Sequence, residues 1–407
     1  MSGLETRTNR GLAFLVGLLL PVLTLQTRYV GTPVDWTSRV VPVDVLCAIF
    51  LAIFALRHPM RPLPWPAALY LAAVVFSLFP GLLVTPGPER DVWAQFLGLG
   101  MGFAFYVLGL NLGRSPGAVA ALLAGTAAAV AAEAVIVYHD VLVPSSPWFP
   151  DPMPGRARGT FKANGQLGAY GFCAAGLLAT FGAVAGSPGR RTLGVLTALL
   201  SASFVFPASR RTGMLCVFLW AAVFLALGVR FARKVPYRLL AAGFLAVGVG
   251  VAVYRAHLET SFVGRRVQAA VSGLRDRDNF VERQHRRTLA TFEEWFPWGF
   301  GAGRGHWIDP RDGHEVHNGL LAVFVEQGIL GFVGFAGMML YPLFRSASGN
   351  ASADGGVHGG GDEDAALFRA IASSFLLVSF VFIIHNTLYR DRTFLLYLGL
   401  VTSWEKR

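Results

Sequence analysis

Apolar residues in this chain come in long unbroken blocks, separated by short charged or Pro/Gly-rich breaks. A helix rises about 1.5 Å per residue, so about 20 apolar residues cross the roughly 30 Å hydrocarbon layer of a bilayer. Blocks near that size predict helical spans over 11–27, 41–56, 65–84, 93–112, 117–138, 164–186, 192–209, 212–229 and 236–254. After a long polar segment come 318–343, 367–386 and 392–404, which makes twelve spans in all. The first block lacks a small-x-small cleavage site and is followed by Arg28 and further blocks, so it reads as a span and not as a removed signal. The expected fold class is an all-α polytopic membrane protein. Its expected organisation is 1–138 with five spans, 139–254 with four, an extramembrane segment 255–317, and 318–407 with three.

Composition agrees with this pattern. The 407 residues are 54% hydrophobic and only 14% charged, where soluble domains run nearer one quarter charged. Disorder and a disulfide scaffold are excluded. Cys47, Cys173 and Cys216 all lie inside apolar runs and read as buried small side chains, not as disulfide or metal ligands. The formal charge of +11 rests on 32 Arg and 3 Lys, a balance suited to anionic lipid headgroups and phosphate-bearing substrates. Charge alone does not distinguish these from nucleic acid, but no nucleic-acid partner is expected for a chain of this class.

Twelve spans put both termini on one side. If that side is inside, the inner loops hold Arg57, Arg61, Arg114, Arg190, Arg191, Arg230, Arg233, Lys234 and Arg238, as the positive-inside rule favours. The outer face then carries 139–163, the Ser209–Arg211 turn, 255–317 and the His385–Arg392 loop. The Gly/Ser/Asp-rich stretch 347–364 falls inside and reads as a flexible loop. Segment 255–317 holds ten Arg, nine Asp or Glu and five His. Within it, 279–296 mixes charges with Phe280, Leu289, Phe292, Trp295 and Phe296, as a helix lying on a membrane surface would. Pro297 ends that helix, and Gly299, Gly301, Gly303 and Gly305 shape a turn-rich return.

Candidate chemistry gathers on that outer face. Arg210 and Arg211 sit between two apolar runs, where they either anchor at the interface or hold a phosphate in their rigid donor forks. Arg283, Arg286 and Arg287 offer the same choice between substrate contact and a solvated basic face. His317, followed by Asn318, stands at the mouth of a membrane helix and has the chemistry of a proton acceptor near neutral pH, although a lone His there also serves structure. Glu326, one or two turns inside that helix, is the deepest carboxylate and is expected to pair with an Arg across the bundle. Arg158, Gly159, Lys162, Asn164 and Gly165 form a third cluster, in which Asn164 either caps the next helix or meets a sugar or phosphate. No zinc spacing, P-loop or dinucleotide fingerprint is present, so no metal or cofactor is expected.

Four of these segments resemble, in order, the O-antigen ligase and polymerase superfamily of bacterial membrane proteins. They are GTFKANGQLGAYG (159–171), SRRTG (209–213), Arg283 through FPWGFGAGRG (296–305), and HNGLLAVFVEQGILG (317–331). The resemblance implies a GT-C-like glycosyltransferase of the bacterial inner membrane with a large periplasmic loop and a periplasm-facing site. It implies inverting, metal-independent transfer of a glycan from undecaprenyl diphosphate to lipid A–core or a related acceptor. Carried over, Arg210, Arg283 and His317 take the catalytic roles. Arg158, Lys162, Asn164, Arg211, Arg286, Arg287 and Asn318 surround the substrate. A polymerase of the same superfamily, a protein-glycosylating relative and a lipid or polysaccharide transporter are the alternatives.

Overall fold

The computed structural model describes residues 7–21, 42–85, 87, 89–143, 147–148, 157, 159–161, 164–208, 211–230, 286–305, 318–348, 360–383 and 388–404. Among them there is no β-strand. The helices are α1 (Arg7–Leu19), α2 (Pro42–Arg57), α3 (Trp65–Phe76), α4 (Glu89–Leu112), α5 (Pro116–Leu142), α6 (Asn164–Ala183), α7 (Pro188–Ala202) and α8 (Arg211–Arg230). A single turn at Phe292–Trp295 precedes α9 (Gly319–Ser348), α10 (Gly360–Ile383) and α11 (Arg392–Ser403). Among the described residues, five stretches are long and apolar enough to cross a membrane: Trp65–Val84, Asp91–Leu112, Pro116–Leu142, Gly319–Phe344 and Glu363–Ile383.

Helix occupies part or all of every stretch read as a span, except 236–254, which lies outside the described residues. Three boundaries move, each for a local reason. Pro80 has no N–H to continue α3, and the chain passes into a π-helical turn at Pro80–Val84. The surface helix is interrupted at Thr291, whose hydroxyl donates back to the Arg287 carbonyl at 3.1 Å. The 347–364 stretch is shorter as a connection than its composition suggests, because α9 runs to Ser348 and α10 resumes at Gly360. Glu363 and Asp364 near that helix start suit the positive end of its dipole.

The helices associate in pairs: α1 along α5, α4 along α11, α6 along α7, α3 along α9, and α8 against α10. Lipid supplies no hydrophobic drive between helices, so close backbone approach and side-chain interlocking must do the work. Gly109 of α4 and Gly399 of α11 face each other in this way, and a methyl group on either would strike the partner's backbone. Phe172 stacks between Phe375 and Phe382, at ring separations of 4.8 and 4.3 Å. The three cysteines are buried and unbridged, as their apolar settings predict.

The pairing gives the bundle two distinct ends. At one, Arg61 Nη1 donates to the Ser403 carbonyl (3.0 Å), Arg114 Nη1 to that of Pro59 (2.8 Å), and Arg191 pairs with Asp364 (3.6 Å). Helices α2, α4, α6, α8, α9 and α11 start at the other end, which holds the candidate site.

Candidate functional site at the Glu326 end

The centre of this end is a break in α9. Asn318 opens the helix, its Oδ1 accepting from Leu321 N at 3.1 Å. At Gly328 the backbone swings to φ 67° and ψ −165°, and the regular ladder is lost. A broken helix inside an apolar bundle must find other partners for its freed polar groups. The glycine-rich return supplies them. Phe300 N donates to Val325 O (2.7 Å), Gly301 N to Glu326 O (3.1 Å), and Ile329 N to Pro297 O (2.9 Å). Gly299, Gly301 and Gly303 all have positive φ, which lets this strip lie flat against α9 and α3.

The strip is clamped on its other side. Ala302 N donates to the Ser77 carbonyl at 3.1 Å, and Thr85 Oγ1 donates to Phe300 O at 2.6 Å. Arg304, only 1% exposed, gives Nε and Nη2 to Gly81 O (3.1 and 3.0 Å) and Nη2 to Gly87 O (2.9 Å). Its guanidinium serves the backbone.

Glu326 is also 1% exposed. Its Oε2 accepts from Gln95 Nε2 of α4 at 2.9 Å, and its Oε1 pairs with Arg390 Nη2 at 3.2 Å. The expected cross-bundle Arg partner is therefore present. Arg390 belongs to a short linker, 388–392, that ties several helices together. Asp391 caps α11 by accepting from Phe394 N at 2.8 Å. Arg392 grips the fully buried Asp44 of α2 with two donors, Nη2 to Oδ2 at 2.7 Å and Nε to Oδ1.

The Gly159–Phe161 segment meets a second buried carboxylate, Glu133 of α5, at 2% exposure. Thr160 N donates to Glu133 Oε1 at 2.7 Å, and the Thr160 hydroxyl lies 2.9 Å from Oε2 and 2.8 Å from the Pro21 carbonyl. Gly159 has φ 57°, and a Cβ there would collide with Glu133 Oε1. Its freedom thus serves contact with a side chain of the protein itself. Ala157 N donates to Pro207 O at 3.0 Å, joining this segment to the approach of the Ser209–Gly213 turn. Tyr170, between them, packs on Phe161 at 5.2 Å and feels the charges of both Glu133 and Asp391.

Arg158, Lys162, Arg210, Arg283 and His317 lie outside the described residues. Asn164 and Arg211 begin α6 and α8, with only their backbone described. Arg286 and Arg287 are exposed on the helical turn before Thr291. That turn docks through Trp295, which is 2% exposed and packs edge-on to Phe324 of α9 at 5.0 Å. Phe292, Phe296 and Trp298 remain exposed nearby, with Trp298 5.6 Å from Phe76, an arrangement suited to a membrane–water boundary. Among the described residues, no group of three or more His, Cys, Asp or Glu is placed to hold a metal ion.

Sequence reasoning missed Glu133, Gln95, Asp44, Arg390 and Arg392 as parts of this end. For the carboxylates a signal existed: a lone acid within an apolar helix must be paired or hydrogen-bonded. For Arg390 and Arg392 only their place in the expected outer loop pointed the same way. Comparison with known proteins adds no name: no protein-family model matches the chain, and no curated protein matches its sequence.

Proposed function

We propose that the chain is a bacterial inner-membrane glycosyltransferase of the O-antigen ligase type, with a twelve-span GT-C-like architecture and a site open to the periplasm. The observation that carries this reading is the meeting of the four resembling segments at one end. The Gly159 segment is bonded to the residues before Arg210, and the Gly299–Gly305 strip to the helix that follows His317. The 388–392 linker joins the two halves through Arg390 and Asp391.

In this reading the donor is a glycan on undecaprenyl diphosphate, already activated, so no nucleotide or metal is required. Arg210 and Arg283 hold the diphosphate and stabilise the negative charge that grows as the anomeric C–O bond breaks. A hydroxyl of lipid A–core, or of a related acceptor, attacks the opposite face of the anomeric carbon. His317 takes the hydroxyl proton, and the configuration inverts in one displacement. Glu326, Arg390 and Gln95 act behind this layer, fixing the helix that presents His317.

Reconstitution with undecaprenyl-diphosphate glycan and a lipid A–core acceptor, followed by sizing of the product, tests the proposal. One glycan transferred to the acceptor is the expected result. Lengthening of the lipid-linked glycan would instead assign a polymerase, and movement of lipid without transfer a transporter. Arg210→Ala and His317→Ala each remove most transfer while leaving membrane insertion intact; wild-type turnover in either would remove that residue from the mechanism. Chelator leaves turnover unchanged, whereas loss restored by a divalent ion would overturn the metal-free scheme.

A further inference from the structure

At the opposite end of the bundle, a cleft of about 1620 Å³ opens between α5, α6 and α7. Its rim carries Arg61, Arg114 and Arg190 against one acid, Asp364, which is already paired with Arg191. Arg190 is exposed, and Arg61 and Arg114 are half-buried. Below the rim the lining turns apolar: Val119, Leu123 and Ala127 on α5, Leu178 and Phe181 on α6, and Leu193 on α7. On the α6 and α7 side, Gly182 and Gly194 meet backbone to backbone, with a Cβ on Gly182 reaching within 2.9 Å of the Gly194 Cα. This leaves a smooth wall with no side chain at the crossing.

The dimensions name the occupant. From Pro116 to Ala127 the α5 wall runs about 17 Å. One leaflet of a roughly 30 Å hydrocarbon layer is about 15 Å deep. A groove one leaflet deep, apolar along its length and cationic only at its mouth, matches a molecule with an anionic head and hydrocarbon tails. A soluble anion would leave the apolar wall empty, and a neutral lipid would leave the guanidinium charges without a counter-charge. From this geometry we infer that the cleft is a seat for an anionic phospholipid. The head phosphate meets the forks of Arg114 and Arg190, and the acyl chains lie along α5 and α7. The seat is separate from the Glu326 end and does not depend on the reaction proposed there.

The test is a titration of the full-length protein, purified in detergent, with phosphatidylglycerol or with phosphatidylcholine of identical acyl chains. Bound lipid is counted by native mass spectrometry. The wild type holds one phosphatidylglycerol with at least about tenfold preference over phosphatidylcholine. Arg114→Gln combined with Arg190→Gln removes most of that preference, and Ala124→Phe, on the lining, weakens binding of both lipids. Should the double variant fail to fold, Arg190→Glu alone, on an exposed side chain, must still reduce the preference. Inorganic phosphate does not displace the lipid. Equal binding of the two lipids, no bound lipid, an unchanged preference in the arginine variants, or displacement by phosphate would each overturn the assignment.

Discussion

At the scale of single residues, the described charges at the Glu326 end are largely committed to the protein itself. Arg304 holds two carbonyls, Arg392 holds Asp44, and Arg390 holds Glu326. A buried ion pair adds little net stability over an apolar pair, but removing one partner strands the other and costs about 3–5 kcal/mol. Glu326→Ala and Arg390→Ala should therefore each lower the apparent melting temperature in detergent strongly. The double variant should lose much less than the sum of the two. Additive losses would mean that the pair is not coupled. The cross-bundle partner of Glu326 was legible from the sequence, because an isolated carboxylate at that depth is costly. The identity of that partner was not, since Arg390 is 64 residues away along the chain.

At the scale of elements, the break in α9 and the glycine-rich strip form one unit. Neither is stable alone: the helix loses ladder bonds at Gly328, and the strip has no regular partner of its own. A side chain at Gly328 would need a positive φ and would meet the Pro297 carbonyl. Gly328→Ala should cost about 1–3 kcal/mol, read as an earlier loss of the monodisperse peak when heated samples are run on size exclusion. Gly98→Ala is the control, since nothing lies within 4 Å of its added methyl. Equal melting of the two variants would refute the importance of the break. The turn character of Gly299–Gly305 was readable from composition. The break itself was not, because the residues around Gly328 continue an apolar helical pattern that Gly alone does not end.

At the scale of the whole molecule, the two ends make a topological claim. Glu89 is exposed at the start of α4, and Gly189 has open space around it at the start of α7. The native cysteines are each 0% exposed, so background labelling is low. In intact cells, an impermeant thiol reagent should label Glu89→Cys and not Gly189→Cys, which should react only after permeabilisation. Labelling of both from outside would collapse the two-ended arrangement, and with it the direction of the positive-inside reading.

The order and apolar character of the helices follow from the sequence alone, because the need to bury backbone polar groups in hydrocarbon allows long apolar blocks little choice but helix. The presence of deep carboxylates, buried cysteines and a glycine-rich return is equally local information. Which distant charges meet, where α9 breaks, and that a cationic cleft opens at the far end were decided only by tertiary packing. Those features depend on which helix faces lie side by side, and helices rich in small residues pack on several faces without leaving a periodic mark in the chain.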